Sequence, residues 1–269
     1  MTFSVVARDS DPDTQAYGVA VASRFLAVGA IVPAAQAGAG ALATQSLANL
    51  AYRPDGLRLL ASGVEPREVV RRLVEADAQR EDRQLGVVGA AGPGAAHTGS
   101  ACEPWAGHAV GDGVAVQGNC LAGPEVVAAA LAAYRSADGP LARRLLAALQ
   151  AGEDAGGDKR GRQSAALLVV TPAGGYGGGS DVLVDLRVDD SPAPLPELTR
   201  LLGLHDLYFG HPESLLPLTG EVAAEVEALL ARVGAPSLRR WVELENYEER
   251  WADGAIDPVV LAQLRGVAR

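Results

Sequence analysis

Lysine is almost missing from this chain of 269 residues, and Lys159 is its only representative. Arginine supplies the rest of the positive charge, yet 33 acidic residues outnumber the 23 basic ones and leave a formal net charge of −10. An acidic balance with a pI near 4.9 argues against a surface that binds nucleic acid or anionic membranes. We therefore expect no polyanionic partner.

Cysteine is scarce as well, since only Cys102 and Cys120 occur and neither belongs to a CxxC pair. The 4 histidines show no His-x-x-x-His or Glu-x-x-His spacing, which is a usual pattern of a metal site. We expect two reduced thiols, no disulfide framework, no metal and no cofactor.

The chain lacks an apolar stretch long enough to cross a bilayer, and no basic region followed by an apolar one opens it as a signal peptide would. These absences predict a cytoplasmic protein without a membrane partner. No Gly-x-Ser-x-Gly nucleophile motif occurs, and the glycine-rich run Gly174–Gly179 lacks the Lys-Ser/Thr end of a phosphate loop. We interpret that run as a hairpin loop.

The sequence contains strand-like and helical stretches, and stretches of the same type are grouped together along the chain. β-rich runs and turn residues predict a hairpin formed by Thr2–Arg8 and Tyr17–Ser23. Further strands, two helices, more strands, two helices and a strand pair follow, and blocks of this kind predict an α+β fold rather than alternating βαβ units. The other expected strands are 30–33, 38–44, 84–90, 95–98, 113–118, 164–171 and 181–188, and the expected helices are 55–61, 65–76, 124–135 and 140–151.

Three prolines within Ser191–Pro196 predict a boundary between a first domain, residues 1–195, and a second, residues 196–269. The second domain is expected to be a small helical module with helices at 197–208, 220–233 and 237–247. Its aromatic residues have two interpretations, packing between helices or faces on which sugars stack. These residues are Trp241, Tyr247 and Trp251.

Thr2 is the most informative single residue because it follows Met1 directly and opens a strand-like run. Threonine is small enough for the initiator methionine to be removed, and removal leaves one residue with both a hydroxyl group and a free α-amine. The pKa of an α-amine is about 7.7–8.0, so part of it is unprotonated at neutral pH and can accept the hydroxyl proton. The alternative interpretation is a β-branched residue that begins an edge strand.

Polar residues elsewhere offer further candidates. The charged segment Gly152–Gln163 is either a solvated loop or a clamp for a substrate carboxylate or phosphate, a task to which arginine is suited. His97 ends a strand-like stretch and His108 lies in a turn-like one, and either is a candidate acid–base group because histidine titrates near neutrality. Asn119 is either a turn residue or an amide donor at a site.

Six separated stretches carry a resemblance to a known family: Met1–Ala7, Tyr17–Pro33, Ala95–Ala101, Val116–Glu125, Gly156–Val170 and Asp185–Asp190. Together they resemble the bacterial and archaeal family catalogued as domain of unknown function 1028, which is grouped with the N-terminal-nucleophile (Ntn) hydrolases. The segment Glu197–Arg269 resembles the peptidoglycan-binding module that is sometimes appended to this family.

The resemblance implies a four-layer αββα sandwich and an N-terminal Thr, Ser or Cys as the nucleophile of amide hydrolysis, a place that Thr2 occupies. Proteasome-type relatives carry Asp-Ser-Arg after the second strand and a lysine further along. This chain has Ala22-Ser23-Arg24 and no lysine before Lys159. Thr2 is therefore expected to rely on its own amine, with Ser23 and Arg24 as polar support.

The resulting hypothesis is a hydrolase that cleaves an amide bond of a small molecule or short peptide through an acyl-ester intermediate on Thr2. Backbone N–H groups of Gly38–Thr44, or Asn119, are expected to stabilise the oxyanion. The expected catalytic residues are Thr2, Ser23 and Asn119, and the expected substrate-binding residues are Arg24, Thr44, His97, Asp158, Arg160 and Arg162.

Two rival hypotheses stay open. One is a non-catalytic Ntn-like protein that binds a glycan or peptide, such as a cell-wall fragment, through its C-terminal module. The other is a chain whose acidic, alanine-rich surface mainly serves the assembly of a homo-oligomer.

Overall fold

The computed structural model describes residues 2–268. Met1, whose removal the Thr2 hypothesis requires, lies outside the described residues. The chain divides into two compact units, one ending at Thr199 and the other beginning at Arg200. No helix within residues 2–268 combines the length and apolar character that crossing a membrane requires.

The first unit contains a 6-stranded sheet in which all neighbouring strands are antiparallel. Its central strands are rich in valine and alanine and are buried on both faces. The predicted hairpin is confirmed, because its two strands pair along their whole length. In spatial order the strands are β10 (Val182–Val188), β9 (Ser164–Val170), β2 (Tyr17–Ser23), β1 (Thr2–Arg8), β8 (Val114–Asn119) and β7 (Gly107–Gly111).

A second antiparallel sheet of 4 strands faces the first. Its strands, in spatial order, are β3 (Pro33–Gln36), β4 (Gly40–Ser46), β5 (Arg83–Gly89) and β6 (Ala95–Thr98). Ser4 of β1 bonds to Gln45 of β4 across the gap. The sheets lie close together at Gly86, where a Cβ atom would lie 1.9 Å from Gln117 Oε1, so a larger residue there would force Gln117 to move.

Helices cover the outer faces of both sheets. α4 (Glu125–Ser136) and α5 (Leu141–Asp154) pack against the 6-stranded sheet, where Leu145 lies over Gly18. α2 (Tyr52–Ala61) and α3 (Pro66–Glu75) pack against the 4-stranded sheet. α3 shows the amphipathic pattern that the sequence predicted, with Val69 and Leu73 buried.

Antiparallel sheets combined with helices confirm the predicted α+β fold, but two local expectations were wrong. Residues 30–33 do not form one strand, because a short helix, α1 (Val28–Ile31), precedes β3. Alanine and glycine fill this stretch, and neither favours strands by itself. His108 lies within β7 and not in a turn.

The second unit is built from helices and one small strand pair. The division between the units falls within α6 (Pro194–Phe209), and the elements that follow are β11 (Leu216–Pro217), α7 (Gly220–Val233), α8 (Leu238–Leu244), β12 (Ala255–Ile256) and α9 (Pro258–Val267). Helix α9 was not predicted, although its start has a recognisable signal. Asp257 caps it by accepting a hydrogen bond from the Val259 N–H, and proline follows at the first helical position.

Two aromatic residues of the second unit belong to its core. Trp241 and Tyr247 are each 5% exposed. Tyr247 stacks on Tyr208 with ring centroids 5.6 Å apart. Of the two interpretations of these aromatics, helix packing describes Trp241 and Tyr247, whose ring faces are covered by protein.

Candidate active site

Three of the predicted site residues meet at one end of the 6-stranded sheet. Thr2, the first residue of β1, pairs with Ser23 at the end of β2 and with Asn119 at the end of β8. Residues directly opposite each other in an antiparallel pair project from the same face of the sheet. That face is the inner one, because Asn119 bonds to Gln84 of the opposite sheet. The three side chains therefore point into the space between the sheets.

Thr2 is buried in this position, with 4% of its surface exposed. Its Oγ1 atom lies 2.9 Å from Ser23 Oγ, and either hydroxyl group can be the donor. Its carbonyl oxygen accepts a hydrogen bond from Gln45 Nε2 at 3.2 Å. The hydroxyl group is thus held from a neighbouring strand, while the main chain is anchored from the opposite sheet.

Gln84 of β5 is the centre of a buried group of carboxamides. Its Nε2 atom donates to the carbonyl oxygens of Gly107 and Gly118 at 3.1 and 2.8 Å. Because backbone carbonyls can only accept, they fix which end of the Gln84 carboxamide is the nitrogen. The Oε1 atom of Gln84 must then face the donors of Gln45 and Asn119, each 2.8 Å away.

The same argument orients Asn119, which is fully buried. Its Nδ2 atom donates to Gln84 Oε1, and the reverse arrangement would set two oxygen atoms against each other. Asn119 Oδ1 therefore points away from Gln84. No hydrogen-bond donor among residues 2–268 reaches Asn119 Oδ1. A buried acceptor without a donor costs free energy, so it calls for an explanation such as a ligand group.

Gln45 and Gln117 extend the group along the sheets. Gln45 Nε2 donates to Gln84 Oε1, and Gln45 Oε1 accepts from Ser4 Oγ at 2.7 Å. Gln117 Nε2 donates to Ser4 Oγ at 2.6 Å and to the Ser4 carbonyl oxygen at 3.3 Å. We refer to Ser4, Gln45, Gln84, Gln117 and Asn119 as the amide cluster, and each of its members is at most 1% exposed.

The amide cluster continues toward the surface and ends at a histidine. Gln84 Nε2 also donates to Thr98 Oγ1 at 3.0 Å, and Thr98 Oγ1 lies 2.8 Å from His108 Nδ1. Burial and the proximity of His97 lower the pKa of His108, so its ring is neutral at pH 7. His97 precedes Thr98 in β6, so its side chain projects from the other face of the strand, where it bonds to Arg80 O at 2.9 Å.

Asp158 lies just beyond the ends of β2 and β8. Its Oδ2 atom accepts from the Arg24 backbone N–H at 3.0 Å, and its Oδ1 atom accepts from the Arg160 backbone N–H at 3.0 Å. The Arg160 guanidinium bonds to both oxygen atoms at 3.1 and 2.8 Å. The Asp158 side chain is 2% exposed. The contacts of Asp158, a predicted substrate-binding residue, hold the loop that follows α5.

The three predicted arginines separate into two groups. Arg24 directly follows the end of β2, and Asp158 brings Arg160 next to it. Arg162 instead pairs with Glu153 of α5. Asp158 thus joins the Arg24 backbone to the Arg160 guanidinium near the Thr2 end of the sheet, while the Arg24 guanidinium bonds to Gln163 Oε1 at 2.8 Å. Arg162 is tied to a helix.

Thr44 projects away from the space between the sheets. Side chains alternate along a strand, and Gln45 occupies the inward position. Thr44 Oγ1 lies 3.4 Å from Asn49 O on the helical side. Its backbone N–H donates to the Val32 carbonyl oxygen at 3.1 Å. Of the two predicted sources of an oxyanion donor, the stretch Gly38–Thr44 is engaged within the fold at this residue, whereas Asn119 lies directly opposite Thr2 in the pairing of β1 and β8.

The glutamines of the amide cluster were not predicted, although the sequence carries a signal for them. Gln45, Gln84 and Gln117 each stand in a strand that otherwise consists mostly of small or apolar residues. A glutamine at a buried strand position needs hydrogen-bond partners inside the protein. Three such strands in one chain indicate a shared polar interior.

The other reactive side chains are dispersed. Within residues 2–268, no three side chains of His, Cys, Asp or Glu come together as a metal site requires. Cys102 and Cys120 are both free and buried. Burial raises the pKa of the Cys102 thiol above its usual range.

Comparison with known proteins assigns the chain to a family. The sequence profile of a family of unknown function (DUF1028) matches residues 2–198. The crystal structure of protein SPO2555 from Silicibacter pomeroyi, described under the same family, is 32% identical in sequence, covers 83% of this chain and 92% of its own, and superposes with a TM-score of 0.68. No curated protein matches the chain. The chain therefore belongs to the DUF1028 family, as its sequence motifs predicted.

Proposed function

We propose that this chain is an Ntn hydrolase that cleaves an amide bond of a small molecule or short peptide, with Thr2 as the nucleophile after removal of Met1. The observation that carries the proposal is the position of Thr2. It begins one of the two central strands of the larger sheet, is buried between two antiparallel sheets, and bonds to Ser23 through its hydroxyl group at 2.9 Å. The helices on the outer faces of both sheets support an αββα arrangement of the Ntn type.

In the proposed reaction, Thr2 Oγ1 attacks the carbonyl carbon of the substrate amide while the α-amine of Thr2 takes the hydroxyl proton. That proton passes to the leaving nitrogen as the carbon–nitrogen bond breaks, and an ester between Thr2 and the acyl group remains. Water then attacks the ester, gives a proton to the same amine, and releases the acid. The proton returns to Oγ1, so one residue acts as nucleophile and base.

The neighbouring side chains have separate roles in this proposal. Ser23 Oγ orients the Thr2 hydroxyl group. We assign the second N–H of Asn119 Nδ2 to the oxyanion, since the first N–H is used by Gln84. Arg24 and Arg160 are assigned to an anionic group of the substrate at the rim of the site.

The surroundings of Thr2 also suggest how the reaction proceeds without the lysine of proteasome-type relatives. The amide cluster next to Thr2 consists of neutral side chains. Burial among neutral groups disfavours the charged form of an amine. We therefore expect the α-amine of mature Thr2 to be available as a base at neutral pH.

Acylation of Thr2 tests the proposal. Intact-mass measurement of the purified protein should show loss of Met1, and incubation with a β-lactone should add one acyl group to Thr2. Thr2→Ser should retain this acylation, whereas Thr2→Ala should lose it. The control Ser62→Ala, which changes a hydroxyl group at the exposed end of α2, should behave as the unchanged protein.

Two results would overturn the proposal. One is equal acylation of Thr2→Ala and the unchanged protein, because the reacting group would then lie elsewhere. The other is rapid acylation of protein that retains Met1, because the nitrogen of Thr2 would then be an amide and not a base.

A further inference from the structure

Asn119 Oδ1 is a buried acceptor whose partner the fold does not supply. It is fully buried, and the described residues 2–268 offer it no donor. We propose that Asn119 Oδ1 accepts a hydrogen bond from the N–H of the scissile amide and thereby selects carboxamides over esters and N-alkylated amides. This inference rests on the proposed function and assigns a substrate class to the same site.

The register of the strands places this acceptor opposite the nucleophile. Thr2 and Asn119 are direct partners in the antiparallel pair of β1 and β8. Side chains at such positions have Cβ atoms roughly 4.5–5.5 Å apart and share one face of the sheet. An amide whose carbonyl carbon is bonded to Thr2 Oγ1 therefore carries its nitrogen within reach of the Asn119 carboxamide.

The acceptor is also held in a fixed orientation. The carbonyl oxygens of Gly107 and Gly118 orient Gln84, and Gln84 Oε1 orients Asn119. Turning the Asn119 carboxamide over would replace a hydrogen bond with a contact between two oxygen atoms. The orientation of Asn119 Oδ1 is thus fixed from the opposite sheet: backbone carbonyl oxygens orient the Gln84 carboxamide, and Gln84 orients Asn119.

The amide cluster contains a second buried oxygen atom that no donor of residues 2–268 reaches, and its setting is different. Gln117 Oε1 lies against Gly86, so closely that a Cβ atom there would be 1.9 Å away. The tight approach of the two sheets leaves no volume for a ligand at that point. Asn119 instead stands at the end of β8, next to the first residue of β1.

The pairing of donor and acceptor on one carboxamide narrows the substrate class further. In the proposed reaction, one N–H of Asn119 faces the substrate oxygen, and Asn119 Oδ1 faces the substrate N–H. A substrate satisfies both groups only when its C=O and N–H point in the same direction. Terminal carboxamides and lactams have this geometry, whereas a trans peptide bond does not.

Three probes of one skeleton test the inference: a β-lactam with a free ring N–H, its N-methyl derivative, and the corresponding β-lactone. The rate of acyl addition to Thr2 is followed by intact-mass measurement. In the unchanged protein the N–H lactam should react about tenfold faster than the N-methyl lactam, or more, because the methyl compound leaves a buried acceptor unpaired.

Asn119→Leu removes the acceptor and nearly keeps the side-chain volume, so it separates hydrogen bonding from steric exclusion of the methyl group. All rates should fall because the oxyanion donor is lost, but the ratio of the two lactams should drop to about three or less. Asn119→Ala provides the same measurement if the leucine variant does not fold. Gln150→Ala, on the surface of α5, should keep the ratio of the unchanged protein.

The outcomes separate the two proposals. Absence of a β-lactone adduct on Thr2 would overturn the hydrolase assignment itself. A β-lactone adduct with equal lactam rates, or with no reaction of either lactam, would overturn only the role of Asn119. A ratio that persists in both Asn119 variants would do the same, since another group would then recognise the N–H.

Discussion

The space between the two sheets has two halves of opposite character. Toward β2 and β9 it is filled by valine and alanine side chains, including Val19, Val21 and Val170. Toward β5 and β8 it is filled by the amide cluster. The apolar half depends mainly on volume, and many apolar residues of suitable size can build it. The polar half depends on donors and acceptors in fixed orientations.

The two halves therefore contribute differently: the apolar half stabilises the fold, and the polar half fixes the orientation of neighbouring groups. Burial of valine and alanine stabilises the fold without regard to direction. A buried carboxamide is favourable only when its hydrogen bonds are made, and it then holds its neighbours in one arrangement. Thr2 belongs to the polar half, since its carbonyl oxygen is bound by Gln45. The candidate site thus lies in the part of the interior where hydrogen bonds fix the orientation of the side chains.

The largest effect should come from methionine at the centre of the polar half. Gln84→Met leaves Asn119 Nδ2 without its partner, and it removes one hydrogen bond each from Gln45 Nε2 and from the carbonyl oxygens of Gly107 and Gly118. Each unpaired buried group costs about 1–3 kcal/mol, so we expect a loss of about 4 kcal/mol in the free energy of unfolding. Urea denaturation of both proteins measures the difference.

The matched control places methionine in the other half. Leu168→Met on β9 replaces one apolar side chain with another of similar size next to the apolar core. It should cost less than about 1.5 kcal/mol. Equal losses in the two variants would contradict the division of the interior into an apolar and a polar half.

The apolar half was predicted from the sequence, whereas the polar half was not, because the signal of each glutamine becomes clear only when its strand is known to be buried. The valine and alanine runs of β1 and β2 predict buried strands, because apolar side chains are removed from water by burial in the protein interior. The structure pairs these two strands along their whole length. Gln45, Gln84 and Gln117 can each be a surface residue, and only the register of four strands brings them together. Thr2 was predicted as a site residue because it directly follows Met1, and that position is read from the sequence without knowledge of any tertiary contact.

The position of the arginines was only partly predictable for the same reason. The segment Gly152–Gln163 contains three basic residues, Lys159, Arg160 and Arg162, and the sequence alone does not distinguish their roles. Which of them reaches the Thr2 end is decided by the Asp158 carboxylate, which binds Arg160 and the Arg24 backbone. Arg162 is taken by Glu153, a residue of the preceding helix. Such long-range pairing has no signature in local spacing.

A charged cluster beside the neutral one should contribute the next largest effect. Asp77 accepts hydrogen bonds from Arg83 Nε at 2.9 Å, Asn49 Nδ2 at 2.9 Å and Tyr52 Oη at 3.0 Å. Arg83 directly precedes Gln84 in β5. Asp77→Asn breaks a largely buried ion pair and should cost about 3 kcal/mol at pH 7.

The pH dependence of that loss identifies its cause. The Arg83 guanidinium holds the pKa of Asp77 well below its usual range. The unfolded carboxyl group, with a pKa of about 3.9, therefore takes up its proton first as the pH falls. The stabilisation is complete above that pH and is lost below it, so the difference between Asp77→Asn and the unchanged protein should shrink between about pH 5 and pH 2. A constant difference would contradict the ionic explanation.

A methyl group at the contact of the sheets should have a smaller effect. Gly86→Ala places a Cβ atom 1.9 Å from Gln117 Oε1, so the glutamine must move and its bonds to Ser4 must lengthen. We expect a loss of about 2 kcal/mol in thermal or urea unfolding. Gly179→Ala, whose Cβ atom would meet only Tyr176 O at 3.4 Å, should change stability by less than about 0.5 kcal/mol. Equal stability of the two variants would mean that the polar half tolerates expansion.

The smallest effect should appear at the outer end of the polar half, where Thr98 meets His108. Burial lowers the pKa of His108 in the folded protein, so the unfolded chain, with a histidine pKa of about 6.5, binds the proton first. Stability is therefore complete above that pH and falls slightly below it, by less than about 1 kcal/mol because the ring is partly exposed. His108→Gln should remove this slope between about pH 7.5 and pH 5 in urea unfolding. His211→Gln, an exposed histidine of the second unit, should leave it unchanged. If the pH dependence of the free energy of unfolding persists in His108→Gln, the group responsible for it lies elsewhere. The stability of the polar half would then be as independent of pH as that of the apolar half.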